Sequence, residues 1–303
     1  MNEALRAALK QLRLSGLLAS LEVRLQEAAG HGLSHAEFLE LIVQDELAVR
    51  ADRQLQRRVQ AAEFRELKTL AEFDWSFNPS IRRQQIYELA TGRFVREARD
   101  VLFLGPPGVG KSFLIQAIAY EVLKAGSTVL YRSIFDVVRD FLRDEALAGE
   151  EKALARYLKP DLLLIDDMGM KQLPKRSGEY LFEIILRRYE TRATVMTSNR
   201  PLEDWGKLLG DVASATAILD RFLHHAEVVQ ITGRSYRLRH GGGSSPTVAQ
   251  DAEGQAGPPP GKRSRSKPAR VPTGSAAAEA GSKPARVPTG SDGDADAEDG
   301  GAG

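Results

Sequence analysis

The 303-residue chain has no cysteine, so neither disulfides nor thiolate metal sites contribute to its stability or chemistry. It lacks any apolar run long enough for a membrane-spanning helix, and its start is charged at Glu3, Arg6 and Lys10 rather than built as a secretory leader. These absences predict a cytoplasmic protein with no membrane segment. An excess of one charge is missing too. The net charge is +1, with 15 basic and 15 acidic residues over 1–100 and 20 and 18 over 101–240, so no basic domain signals a nucleic-acid partner. Only local clusters could serve one. Residues 241–303 contain no aromatic residue and no Leu, Ile or Met, so they have little with which to bury a core and are expected to form a disordered low-complexity tail. Within it Ser266–Ser275 recurs at Ser282–Ser291, its middle is basic and its end acidic. That pattern suits an arm for nucleic acid or a partner, or an extension without a defined role.

The rest of the chain is patterned. Leu5, Leu9, Leu12, Leu14, Leu17, Leu18, Leu21 and Leu25 recur at helical steps, Gly30-His31-Gly32 interrupts them, and Ser34 with Glu37 makes a capping box for a second helical stretch. From about residue 78 the pattern alternates, with strands expected at 101–104, 128–132, 161–166, 194–198 and 227–232 separated by helices. Alternation of this kind predicts an α/β fold, a parallel sheet between two helical layers. The expected organisation is a helical module over 1–70, a nucleotide domain over 71–240 and the tail over 241–303.

Gly105-Pro106-Pro107-Gly108-Val109-Gly110-Lys111-Ser112 has the form G-x-x-x-x-G-K-[ST]. The apolar run Val101–Leu104 precedes it and a helical pattern from Phe113 follows, which sets a cradle of backbone N–H groups at a helix N-terminus. A nucleoside triphosphate is the ligand this implies, with Lys111 reaching the phosphates and Ser112 a ligand of Mg2+. Leu162–Ile165 leads into Asp166 and Asp167. At the edge of a parallel sheet Asp166 would hold Mg2+, and Asp167 would orient and deprotonate an attacking water. Asn199 closes another apolar strand, where it would bond the γ-phosphate or the water, or serve as a turn residue. Arg221 is either an arginine finger, which commonly comes from a neighbouring subunit, or a salt-bridge partner of Asp220 or Glu227.

Phosphate loop, Asp-Asp strand, Thr-Ser-Asn strand and late arginine, in that order, resemble an AAA+ ATPase of the initiator and helicase-loader branch. More narrowly, residues 1 to about 239 resemble the IstB-type transposition helper ATPases of IS21-like insertion sequences. The resemblance rests on Phe73–Phe77, Leu181–Glu190, Thr197–Pro201 with Trp205, Ile218–Glu227 and Gly233–Arg239. It implies an ATP-dependent homo-oligomer that binds duplex DNA and works with a cognate transposase in target selection. It also implies Asn199 as the phosphate sensor and Arg221 as the finger. Asp167 stands where the family often has Glu. A replicative helicase loader of DnaC type is the alternative within the same fold. A small-molecule kinase would share the phosphate loop, but no arginine-bearing lid or acceptor pocket is legible.

Two arginine clusters are candidates for a DNA backbone contact with little sequence preference. Arg50, Arg53, Arg57 and Arg58 share one helical face, which with Asp52 nearby reads first as a solvated face, and Arg187, Arg188 and Arg192 form the second cluster. His224 and His225 are adjacent on a helix with no third metal ligand expected nearby, so they read as packing or interface residues.

Overall fold

The computed structural model describes residues 2–145, 150–174 and 176–238, so the expected tail, with Arg239, lies outside the described residues. The chain begins with α1 (Glu3–Gln11), α2 (Ser15–His31) and α3 (His35–Ala62). Gly32 ends α2 in the left-handed region at φ 63, and the Ser34–Glu37 capping box starts α3 as expected. Leu14 gives α2 no side-chain cap. Its first amides are taken instead by the buried Glu46 of α3, whose Oε2 accepts from Gly16 N at 2.7 Å and Leu17 N at 3.0 Å. Arg50 bonds the other oxygen of Glu46 at 2.7 Å and helps hold its carboxyl below the usual range.

After α3 come α4 (Arg83–Ala90) and α5 (Arg93–Arg96), then β1 (Val101–Leu104), α6 (Lys111–Lys124), β2 (Val129–Ser133), α7 (Ile134–Glu145) and α8 (Glu150–Leu158). The chain continues through β3 (Leu162–Met168), α9 (Ser177–Arg188), β4 (Ala193–Ser198), α10 (Trp205–Leu209), α11 (Val212–His224) and β5 (Glu227–Gln230). All five expected strands are present within about two residues at each end. They form one parallel sheet in the order β2-β3-β4-β1-β5. Continuous apolar runs suit strands covered on both faces, and Leu162 to Ile165 are fully buried. One face packs on α4 and α6 through Ile86, Leu114 and Ile118; the other packs on α7, α9 and α11 through Phe141, Ile184 and Phe222.

The lateral order matters for function. β4 lies between β1 and β3, so the loop after β1, the carboxylates on β3 and the polar end of β4 share one sheet edge. The β3–β4 register slips between Ile165 and Met168, and Asp167 sits in that irregularity at φ 65. A bulge re-aims a side chain off the regular pleat. Strand β3 therefore runs past the two carboxylates, beyond the expected end at residue 166.

α3 packs on β2 and α6, so the N-terminal helices and the sheet belong to one compact unit. Among the described residues no helix is long and apolar enough to cross a membrane.

Candidate nucleotide site

Residues 105–110 wrap the start of α6, and two of their glycines have conformations that other residues adopt only with strain. Gly108 has φ 80 and Gly110 φ 105. A Cβ on Gly108 would lie 2.0 Å from Ser235 Oγ, so the loop is closed from outside by the segment after β5. Tyr236 N completes that contact by donating to Gly108 O at 2.9 Å.

Lys111 opens α6 and is buried. Its Nζ donates to Gly105 O at 2.7 Å, Pro106 O at 2.8 Å and Asn199 Oδ1 at 2.5 Å. Burial lowers its pKa to about 8, against the pull of Asp166 and Asp167. Ser112 Oγ donates to Asp166 Oδ1 at 3.0 Å. Asp166 is fully buried and its oxygens also accept from Tyr131 Oη at 2.7 Å, from Asp167 N at 2.9 Å and from Thr197 Oγ1. Asn199 is positioned by its own amide, which donates to Met168 O at 3.0 Å. The phosphate loop, Asp166, Asp167 and Asn199 are thus brought together, as their places on the sequence implied.

Ser112 and Asp166 supply two adjacent hard oxygens, one of them a carboxylate with no lysine or arginine bonded to it among the described residues, and this donor set fits Mg2+. Asp167 differs from Asp166. Its amide donates to Thr197 Oγ1 at 3.1 Å, and its Oδ2 lies 2.8 Å from Arg65 Nη1. Burial and the neighbouring Asp166 raise its pKa, and Arg65 opposes that shift.

Lys111, Ser112, Asp167 and Asn199 border a cavity of about 380 Å³, part of whose wall is aromatic: Phe73, Phe77, Phe113 and Tyr236. Phe73 packs at 5.2 Å on Phe113, and Phe77 meets Tyr236 edge-on at 4.9 Å. The Phe73–Phe77 and Gly233–Arg239 blocks were legible as specific features, yet nothing in their spacing placed them on this wall. Arg65, Lys68 and Arg237 also line it and were not singled out for the site. No local pattern could have found Arg65, whose partner is on β3.

Arg221 does not join this group. It is exposed on α11, and its guanidinium lies over the Tyr189 ring at 5.4 Å; neither Asp220 nor Glu227 forms an ion pair with it. Glu190 Oε1 stands 3.1 Å from His225 Nε2, while Tyr189 Oη and His224 Nδ1 are 2.5 Å apart. The expectation of no third ligand near the histidines is corrected here, since Glu190 reaches them from the other side of a 35-residue gap. These exposed groups are engaged with one another as packing partners.

The second arginine cluster is also corrected. Arg188 is 1% exposed and bonds Thr194 Oγ1, the carbonyls of Tyr157, Pro160 and Asp161, and the carbonyl of Ala193. Arg187 pairs with Glu183 at 2.9 Å and Arg192 with Asp161 at 2.7 Å. Helical periodicity could not reveal that Arg188 faces inward, where it clasps strand ends. Of the α3 arginines, Arg50, Arg53 and Arg57 are exposed and Arg58 is half-buried; Arg53 donates to Ser15 Oγ at 2.5 Å and Arg50 is tied to Glu46.

Comparison with known proteins adds family context. Residues 7–244 match the model of the IstB-like ATP binding protein family. The chain is 37% identical to the IS5376 insertion-sequence ATP-binding protein of Geobacillus stearothermophilus, over 70% of this chain and 84% of that protein. It is 34% identical to the IS21 insertion-sequence ATP-binding protein of Pseudomonas aeruginosa, over 78% and 89%. Among solved structures, the DnaC helicase loader is 23% identical with a TM-score of 0.42, covering 49% of this chain and 86% of that one.

Proposed function

The chain belongs to the IstB-like ATP binding protein family, and from that premise we propose that it is a Mg2+-dependent ATPase of DNA transposition. In this reading it assembles as a homo-oligomer on duplex DNA and works with a transposase in target selection. Residues 1–70 serve as its helical module and 71–240 as its ATPase domain. The observation that carries the reading is the convergence of Lys111, Ser112, Asp166, Asp167 and Asn199 on one cleft at the ends of three parallel strands.

The loop amides and Lys111 bind and orient the triphosphate. Mg2+ held by Ser112 and Asp166 would neutralise charge on the phosphate oxygens. Asp167 and Asn199 flank the position from which a water attacks the γ-phosphate; burial, which favours the protonated carboxyl, suits Asp167 to accepting that proton. Arg221 does not line the cleft of its own chain and is exposed, so its finger role is exercised on the site of a neighbouring subunit.

The test is ATP turnover by the full chain with and without duplex DNA, with particle size followed in parallel. We expect hydrolysis without an added acceptor, stimulated by DNA and accompanied by larger particles. Absence of hydrolysis under all these conditions would refute the enzyme reading. Stimulation by a replicative helicase instead of DNA would favour a loader. Arg221→Ala should leave ATP binding nearly intact and collapse turnover, whereas equal loss of both would assign Arg221 a structural role.

A further inference from the structure

The segment that follows α3 carries contacts to which the ATPase reading gives no role. Glu63 closes the helix at φ 55, and its carboxylate pairs with Arg132 and with Arg156, each at 2.6 Å. Two residues on, Arg65 enters the nucleotide cleft. Its Nη1 lies 2.8 Å from Asp167 Oδ2, and its guanidinium sits over Tyr131, the residue whose hydroxyl donates to Asp166. Glu66 N then donates to Gln116 Oε1 at 3.4 Å, and Gln116 Nε2 donates to Ser112 O at 2.9 Å. The end of α3 is therefore fastened to β2, β3, α6 and α8 within four residues.

We propose that Arg65 is a positioning residue for Asp167, supplied by the N-terminal helices, so that hydrolysis requires the end of α3 to be docked. The inference rests on the reading of Asp167 as the carboxylate that orients water. Asp167 stands on a bulge in the left-handed region beside a second carboxylate, which repels it. Its amide is fixed by Thr197 and Asp166, but its ion pair is with Arg65. That contact engages Oδ2 and leaves Oδ1 for a water. A cation here fixes the carboxylate rotamer and offsets the repulsion, and a shift of about 1 Å in such a group costs up to about a hundredfold in rate. Because Glu63 anchors the same strap outside the cleft, displacement of α3 withdraws Arg65 from Asp167.

The experiment measures steady-state ATP turnover and nucleotide affinity for the full-length wild type, Arg65→Ala, Arg65→Lys, Glu63→Gln, Asp167→Asn and Arg65→Ala with Asp167→Asn. Thermal melts establish that each is folded. We expect Arg65→Ala to lower kcat by about tenfold or more with KM within about threefold, Arg65→Lys to recover part of the loss, and Glu63→Gln to fall in the same direction by less. The double variant should be no slower than Asp167→Asn alone, because Arg65 acts through that carboxylate. An unchanged kcat in Arg65→Ala overturns the proposal. So does a raised KM at constant kcat, which would make Arg65 a phosphate contact, or losses that multiply in the double variant. Should Arg65→Ala fail to fold, Arg65→Lys and Glu63→Gln decide: wild-type kcat in both overturns the proposal. A wild type without turnover overturns the ATPase reading and this inference together; an active wild type with an unaffected Arg65→Ala overturns the inference alone.

Discussion

Raising the pH probes the cage around Lys111. Lys111 is 5% exposed, and burial brings its pKa from the ordinary 10.5 down to about 8. A triphosphate favours the protonated form, so the bound lysine keeps its proton well above that value. The sign follows from this difference. Below pH about 8 the free protein already carries the proton and affinity is flat; above it, each binding event must take up a proton, and affinity falls by up to about tenfold per pH unit. At about pH 9 roughly one free molecule in eleven is protonated, so Kd should rise about tenfold, and at about pH 9.5 about thirtyfold. A fluorescent ATP analogue titrated across this range gives Kd. Calorimetry in two buffers of different ionisation enthalpy gives the proton uptake directly. Lys111→Arg, which keeps its charge throughout, should bind more weakly at neutral pH but show a flat profile. A wild-type Kd constant to about pH 9.5 would refute the account of Lys111 as a buried cation held for phosphate.

Other consequences follow from the same contacts. Arg188→Met removes the donors to four carbonyls and Thr194 Oγ1 and should cost about 3 kcal/mol in urea unfolding, while leaving the DNA affinity of the folded protein unchanged. A loss under about 1 kcal/mol together with weaker DNA binding would restore Arg188 to the DNA surface. Gly108→Ala places a Cβ 2.0 Å from Ser235 Oγ at a φ of 80 and should weaken nucleotide binding by more than about tenfold in a folded protein; unchanged affinity would remove the loop from the site. Arg53→Glu with Arg57→Glu should weaken duplex binding and reduce its salt slope, whereas an unchanged slope would make α3 a solvated face.

The legible parts of the fold are those with strong local causes. Short strand patterns alternating with helical ones marked the five strands, Ser34 and Glu37 marked the start of α3, and the glycine loop with Lys111 marked the cleft. What was illegible depends on lateral order and on long-range packing. Alternation of strand and helix does not say that β4 separates β1 from β3, yet that order brings Asn199 to Lys111. The register slip that lifts Asp167 is likewise set by pairing with β4 rather than by the Asp-Asp sequence. Charge type was a poor guide to exposure: Arg188 belongs to an arginine-rich helix end but is enclosed by strand-end carbonyls. Arg65 and Tyr236 reach the cleft from segments far apart in the chain, and only the folded chain brings them there.

In the proposed assembly one subunit's cleft is completed by another subunit's Arg221. On the proposed roles Asp167→Asn lacks the hydrolytic carboxylate and Arg221→Ala lacks the finger, so each should be nearly inactive alone with duplex DNA present. In an equal mixture of the two, about a quarter of random interfaces pair an intact cleft with an intact finger. Mixing should restore turnover to about that fraction of wild type, with a gain that depends on assembly. Two chains that each form oligomers with wild type, yet regain no activity when mixed, would contradict it.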